Sequence, residues 1–270
     1  MSEATYRLPR TDREWNRLAF QGELFAPFTR RVVQAAGIGA GMRVLDVGSG
    51  VGDVSLLAAE LVGSAGSVLG AEIDEESNQR ARRRAAERGV RNAAFLTGDV
   101  SALALPREFD AIVRRLVLMH LKDPAAVLSH LCKSLRPGGV VAFVEPILSR
   151  QYTSFPESPA LQELNAVLAK VRALGGFVDF EMGLRISATF VRAGLPRPEL
   201  CAELLIGRSD SALVTYLAET TYSTSRNWIR RGVEGAERLD YESLAHRLPA
   251  ELGPDGVLAT HPLVGAWART

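Results

Sequence analysis

Residues 43–61, RVLDVGSGVGDVSLLAAEL, join a short β-branched run to an Ala/Leu-rich helical segment through Gly48, Gly50 and Gly52. A glycine loop between a strand and a helix lets backbone amides approach a ligand closely at the helix N-terminus. The rhythm then repeats. SVLGAEI, AAFLT, FDAIV and VVAFVE read as further strands, and 51–61, 75–88 and 124–135 as the helices between them. Strands alternating with helices run parallel, because each parallel connection needs a crossover. The sequence therefore predicts an α/β fold built on a doubly wound, mostly parallel sheet, Rossmann-like, with its binding site beyond the C-terminal strand ends.

Outside this core the pattern changes. Thr11 or Asp12 is placed to cap a helix through REWNRLAFQGELF, which Pro27 is expected to interrupt before a second helix reaches about residue 36. After Glu145, SPALQELNAVLAKVRAL, MGLRISATFVRAG, 209–229 and 239–248 read as helices, and RPELCAELLIG and GVLATHPLVGAWART as two late strands that bring the sheet to seven. Helices inserted after strand five are expected to lie over the sheet's C-terminal edge as a lid. The chain then divides into covering helices (1–40), a cofactor-binding core (41–147), a helical lid and substrate region (148–194 and 208–250) and late strands (195–207 and 255–270).

Charge narrows the partners. With 32 basic and 31 acidic residues, the formal net charge of +1 gives no field to gather nucleic acid or an anionic membrane. No run approaches the ~18 apolar residues of a membrane helix, and the charged N-terminus lacks the apolar stretch of a signal peptide. Cys132 and Cys201 stand far apart in no metal or redox spacing, and His130, His246 and His261 in no ligand spacing. A cytoplasmic protein with no metal, acting on a small molecule, with a homodimer as the candidate assembly, is the expectation.

Asp46 decides what the glycine loop holds. A carboxylate ~4 Å from a pyrophosphate would repel it by roughly 4 kcal/mol at an effective dielectric near 20, which disfavours a nicotinamide dinucleotide. The same carboxylate would attract an ammonium or sulfonium, so the loop suits a cationic adenosine derivative. Glu72 ends the second strand, where an acid accepts from ribose hydroxyls. Asp99 follows the third strand, placed to accept from an adenine amino group while Val100 donates its amide to the ring.

VLDVGSGVG, GAEID, TGDV, FDAIVRRLVLMHL and LRPGGVVAFVEP, covering about residues 42–146, resemble the class I S-adenosylmethionine-dependent methyltransferases. The likeness is to small-molecule enzymes of the ubiquinone/menaquinone-biosynthesis type. It implies S-adenosyl-L-methionine as cofactor, with its methionine part on Gly48, Ser49 and Gly50, ribose on Glu72 with Ile73, and adenine on Asp99 with Val100. It also places Arg115 at the methionine end. The N-terminal YRLPRTDREWNRLAFQ resembles a helix that closes over the cofactor and suggests Arg17 and Gln21, four apart on one face, as further contacts. The chain departs from the family where Arg114 and Arg115 replace small or polar residues, and where Met119 and His120 replace a histidine pair. No Asn-Pro-Pro-aromatic tetrapeptide follows strand four, which argues against amino-methylation of DNA bases or glutamine amides.

Methyl transfer needs alignment and exclusion of water, and a base only where the nucleophile arrives protonated. His120 and Glu145 are the candidate bases, although His120 on its apolar run suits a packed core histidine better than a base. Methylation of an oxygen or carbon on a small apolar or aromatic metabolite, of the kind met in secondary metabolism, is the expected activity. A non-catalytic cofactor-binding or scaffold protein of the same fold is the alternative.

Overall fold

The computed structural model describes residues 11–176 and 178–270. Its centre is a seven-stranded sheet in the order β3-β2-β1-β4-β5-β10-β7. β1 (Arg43–Val47), β2 (Ser67–Glu72), β3 (Ala93–Thr97), β4 (Phe109–Arg115) and β5 (Leu135–Pro146) pair in parallel, as the alternating pattern predicts. β10 (Leu263–Arg269) lies antiparallel between β5 and β7 (Glu199–Glu203). Strand order reverses beside β1, and β1 delivers the glycine loop to that point.

Two apolar layers close the sheet. On one face α1 (Asp12–Ala35) and α2 (Asp53–Val62) bury Phe25, Phe28, Val32, Val54 and Ala58 against Val44, Ala111 and Val113. On the other, α4 (Pro124–Cys132) and α6 (Met182–Arg192) bury Leu128, Leu131, Ile186 and Phe190 against Ile112, Val141 and Phe143. α3 (Glu75–Glu87) packs on β2 and β3. β1, β4 and β5 contribute alternate residues to the two layers, which is why each reads as a continuous apolar run.

Three features differ from the sequence reading. Pro27 does not divide the N-terminal helix, and α1 runs unbroken for 24 residues. Pro27 faces solvent together with Glu23, so the carbonyl it deprives of a partner reaches water, while Phe25, Phe28 and Val32 continue the buried stripe. Each late strand segment also splits. RPELCAELLIG forms β7 and then β8 (Ile206–Arg208), and GVLATHPLVGAWART forms β9 (Val257–Ala259) and then β10. β8 and β9 join β6 (Thr153–Phe155) in a separate antiparallel sheet of three, order β6-β9-β8, for which the sequence carries no distinct signal.

α5 (Pro159–Leu174), α7 (Ala212–Arg230) and α8 (Leu244–Leu252) form the helical part of the region after β5. α7 packs on α1 and α8, and α5 on α8. Among the described residues, no helix is long and apolar enough to cross a membrane.

Candidate active site

The loop after β1 is held open by left-handed backbone. Gly48, Gly50 and Gly52 have φ of 63, 54 and 86°, values that a side chain would strain. Ser49 donates its amide to the Ala71 carbonyl at 3.0 Å, pinning the loop to the end of β2. At that end Glu72 accepts from the Gly50 amide at 2.9 Å through Oε2 and from the Asp74 amide at 3.1 Å through Oε1. The structure thus brings Gly48, Ser49, Gly50 and Glu72 together. A Cβ built on Gly50 would meet nothing within 4 Å, so the space above the loop is open, whereas one on Gly48 would come within 3.2 Å of Val117 Cγ2.

Asp46 lies beneath the loop, fully buried. Its Oδ2 accepts from Ser55 Oγ at 2.6 Å, while Oδ1 has no hydrogen-bond partner and stands 3.8 Å from Arg114 Nη1. Burial raises its pKa to about 6, against the opposing pull of Arg114 and Ser55. The Ser49 hydroxyl is likewise buried and unpartnered.

On the next two strands, Ile73 stands beside Glu72 with 47% of its surface exposed, an apolar side chain left uncovered at the cleft. Asp99 accepts from the Ser101 amide and hydroxyl at 2.9 and 2.7 Å, fixing the turn after β3, and Val100 is buried.

The two arginines that end β4 diverge, because successive strand residues face opposite sides. Arg115, expected at the cofactor's methionine end, turns instead to the α1 face. Its Nη1 donates to Thr29 Oγ1 at 3.1 Å and to the Gly22 carbonyl at 3.4 Å, and Nη2 is 4.0 Å from Asp53 Oδ2. Arg114 is the one that reaches the glycine loop. Its guanidinium carbon lies 3.6 Å from the place a Cβ on Gly48 would occupy. The sequence reading passed over Arg114, though strand alternation alone sets it on the opposite face from Arg115.

The chain then turns through Leu116, a non-glycine residue with φ of 58°. Glu145, at the end of β5, holds the turn. Its Oε1 accepts from the Val117 and Leu118 amides at 2.8 Å each, and Oε2 from the Met119 amide at 3.3 Å. Burial nonetheless raises the Glu145 pKa to about 7. His120 sits in the same turn, and burial with the nearby Arg114 charge lowers its pKa to about 4. Glu145 is thus committed to backbone and His120 is a feeble base, whichever part they take.

Arg17 and Gln21 meet on α1 as their spacing predicts, with Arg17 Nη1 donating to Gln21 Oε1 at 2.7 Å. The stronger partner of Arg17 is Glu14, through Nη2–Oε1 and Nε–Oε2 contacts of 2.6 and 3.0 Å, both side chains being buried. Ser223 and Thr220 of α7 donate to or accept from this pair, so it also docks α7 on α1. Glu14 had no distinguishing signal in the sequence beyond its place three residues ahead of Arg17.

Chemically, the cleft offers open space over Gly50, a carboxylate at Glu72, an exposed apolar side chain at Ile73 and a buried carboxylate beneath the loop at Asp46. That donor and acceptor set fits an ammonium-bearing nucleoside and has no cradle for a pyrophosphate beside the Asp46 carboxylate.

A family profile described as a methyltransferase domain matches residues 38–176, half of the sequence. The chain belongs to this methyltransferase family. It is 36% identical over 126 residues to aklanonic acid methyltransferase DauC of Streptomyces sp. (strain C5), covering 46% of this chain and 57% of the relative. It is 32% identical over 155 residues to the ubiquinone/menaquinone biosynthesis C-methyltransferase UbiE of Marinomonas sp. (strain MWYL1), covering 54% and 62%. The match thus spans less than two thirds of either relative. A crystal structure of an S-adenosylmethionine-dependent methyltransferase from Aquifex aeolicus shares the fold, with a TM-score of 0.52 at 19% identity, over 74% of this chain and 92% of that one.

Proposed function

We propose that this chain is an S-adenosyl-L-methionine-dependent methyltransferase acting on an oxygen or carbon of a small, apolar or aromatic metabolite. The observation that carries the reading is the joint placement of Asp46, the open glycine loop and Glu72 at the point where strand order reverses. When bound, S-adenosylmethionine would supply a methyl carbon activated by a positive sulfur. Gly48, Ser49 and Gly50 would hold the amino-acid end against the loop, with the Asp46 carboxylate beneath it favouring its ammonium. Glu72 with Ile73 would take the ribose, and Asp99 with Val100 would take the adenine edge.

The chain's remaining work is to seat the acceptor and exclude water. α1 already covers the head of α2, and Arg17 with Glu14 ties it to α7, so α5, α7 and α8 are the part of the 148–194 and 208–250 segments we assign to acceptor choice and closure, α6 being packed on the sheet. The names of two relatives, a nocamycin O-methyltransferase and a ubiquinone/menaquinone biosynthesis C-methyltransferase, support an oxygen or carbon acceptor.

Calorimetric titration with S-adenosylmethionine, S-adenosylhomocysteine and NAD tests the cofactor, and release of S-adenosylhomocysteine on adding cell extract tests the activity. The first two ligands should bind and NAD should not. Tight binding with no turnover in any extract would leave a scaffold in place of an enzyme.

A further inference from the structure

Residues 199–208 run as one edge strand through β7 and β8. On the inner side Glu199 to Glu203 pair with Trp267 to Leu263, and Ile206 to Arg208 with Ala259 to Val257. β7 ends the seven-stranded sheet and β8 ends the sheet of three, so no strand lies on the outer side among the described residues. Which backbone groups point outward follows from the ladder. The Pro262 carbonyl accepts from the Ile147 amide and the Thr270 amide donates to the Gly139 carbonyl, so even residues of β10 bond to β5 and odd ones to β7. Glu199, Cys201 and Glu203, opposite Trp267, Gly265 and Leu263, are therefore turned inward. Leu205 and Ser209 keep the phase, bonded to the Thr260 amide and the Gly256 carbonyl. The backbone of Leu200, Ala202, Leu204 and Ile206 is left facing outward.

The same residues carry the exposed apolar side chains. Leu200, Leu204 and Ile206 show 52, 46 and 64% of their surface, and Ala202 is exposed between them. Glu203 leaves on the opposite face, where it is ion-paired with Arg31 of α1. An edge with free amides and carbonyls and an apolar row is a template for another strand, which folded proteins otherwise blunt with charges or proline. Here the outward positions from 200 to 206 hold neither.

We propose that this edge is a homodimer interface, in which β7 pairs antiparallel with β7 of a second copy about a two-fold axis at Ala202. A two-fold contact must be self-complementary, and the row is. With the axis at Ala202 the two alanines meet, and each Leu200 meets Leu204 of the other copy, every pair exchanging both backbone bonds. Pro198, which has no amide to give, falls opposite Ile206 at the end of the run. Charge and length exclude the other registers. An axis at Cys201 would set Glu199 against Glu203, and one at Glu203 would set that acid against itself. An axis at Leu204 would oppose Leu200 with Arg208, and one at Leu200 would carry Ile206 past the end of the pairing. The pairing joins the two seven-stranded sheets into one, and it stands independently of the methyltransferase reading.

Sedimentation equilibrium on the full chain is the test. The native protein should sediment at micromolar concentration as twice the 29.2 kDa chain. Leu200→Glu and Leu204→Lys each set a charge against a leucine, and each should raise the dissociation constant by about tenfold or more, with far-ultraviolet circular dichroism unchanged. Combined in one chain, the two introduced charges face each other with opposite sign on both sides of the axis and should restore the dimer. Leu184→Glu, at a residue 56% exposed on α6, should leave it intact. A native monomer, a dimer that survives either single charge, or a double variant as weak as the singles would overturn the assignment. Loss of the dimer in Leu184→Glu would overturn it too, by moving the interface to α6.

Discussion

Gly22 of α1 and Asp53 of α2 stand so close that a Cβ on Gly22 would lie 2.3 Å from the Asp53 carboxyl carbon. Asp53 is held there by Arg84 at 2.7 Å and Arg115 at 4.0 Å, and Arg115 also takes the Gly22 carbonyl. This contact seats α1 on the head of the helix that leaves the glycine loop. In an open helix Gly→Ala stabilises by about 1 kcal/mol. At Gly22 the methyl must displace Asp53 and break its pairing with Arg84, at a cost of roughly 1–3 kcal/mol. Gly22→Ala should therefore lower the urea midpoint, and a raised midpoint would show that α1 sits further from α2.

Glu72 carries two duties, so its removal should show in two measurements. In the free protein it satisfies the Gly50 and Asp74 amides, and we assign it the cofactor ribose. Glu72→Ala should weaken S-adenosylhomocysteine by about 1–3 kcal/mol through an unpaired ribose and a loosened loop. Binding of adenosine derivatives that lack the ribose hydroxyls should change less, because only the loop term remains. Equal losses for both would assign Glu72 to the loop alone.

The contrast between what the sequence disclosed and what it hid has a physical pattern. β1 and β3 are bounded by glycine or turn residues, so RVLDV and AAFLT coincide with them residue for residue, although β1 is buried and the edge strand β3 is largely exposed. The late segments failed to resolve because β8 and β9 owe their pairing to contacts between residues some fifty apart, and composition cannot separate them from β7 and β10. At the site, the glycines and Glu72 were legible because close approach and strand-end position dictate the residue type. Arg114 and Arg115 were not, because an arginine's destination depends on which face it leaves and what waits there. Glu145 was placed correctly at a strand end, yet three amides from a turn almost thirty residues earlier determine its partners.

Glu14 and Arg17 form a buried ion pair between α1 and α7, with Ser223 closing it from the far side. Such a pair offers little net gain over apolar groups, since desolvation offsets attraction, but a half-pair leaves an uncompensated buried charge. Glu14→Gln and Arg17→Met should each destabilise by roughly 3–5 kcal/mol, and the double substitution by clearly less than their sum. A double-mutant cycle in urea measures the coupling. Additive losses would place the two side chains in water.

Four buried groups set the pH dependence of stability, and they oppose each other. Burial lifts Asp46 from 3.8 to about 6 and Glu145 from 4.5 to about 7. These carboxyls hold protons that the unfolded chain releases, so their contribution is full below the unfolded values and is lost as pH rises toward the folded ones. Burial lowers His120 and His261 from 6.5 to about 4. The unfolded chain takes up protons there that the folded imidazoles refuse, so this contribution is present above 6.5 and lost as pH falls toward 4. Between about pH 4.5 and 6.5 the two slopes cancel in large part. His261 is the one to remove, because its ring packs 5.8 Å from that of Tyr152 and a phenylalanine can fill the same place. His261→Phe keeps the ring and deletes the proton uptake. The native protein should then show a nearly flat urea midpoint from about pH 5 to 6.5, whereas the variant should lose on the order of 1–3 kcal/mol as pH rises across the same interval. A variant whose midpoint rises with pH instead would mean that the two carboxyls are ionised in the folded protein throughout.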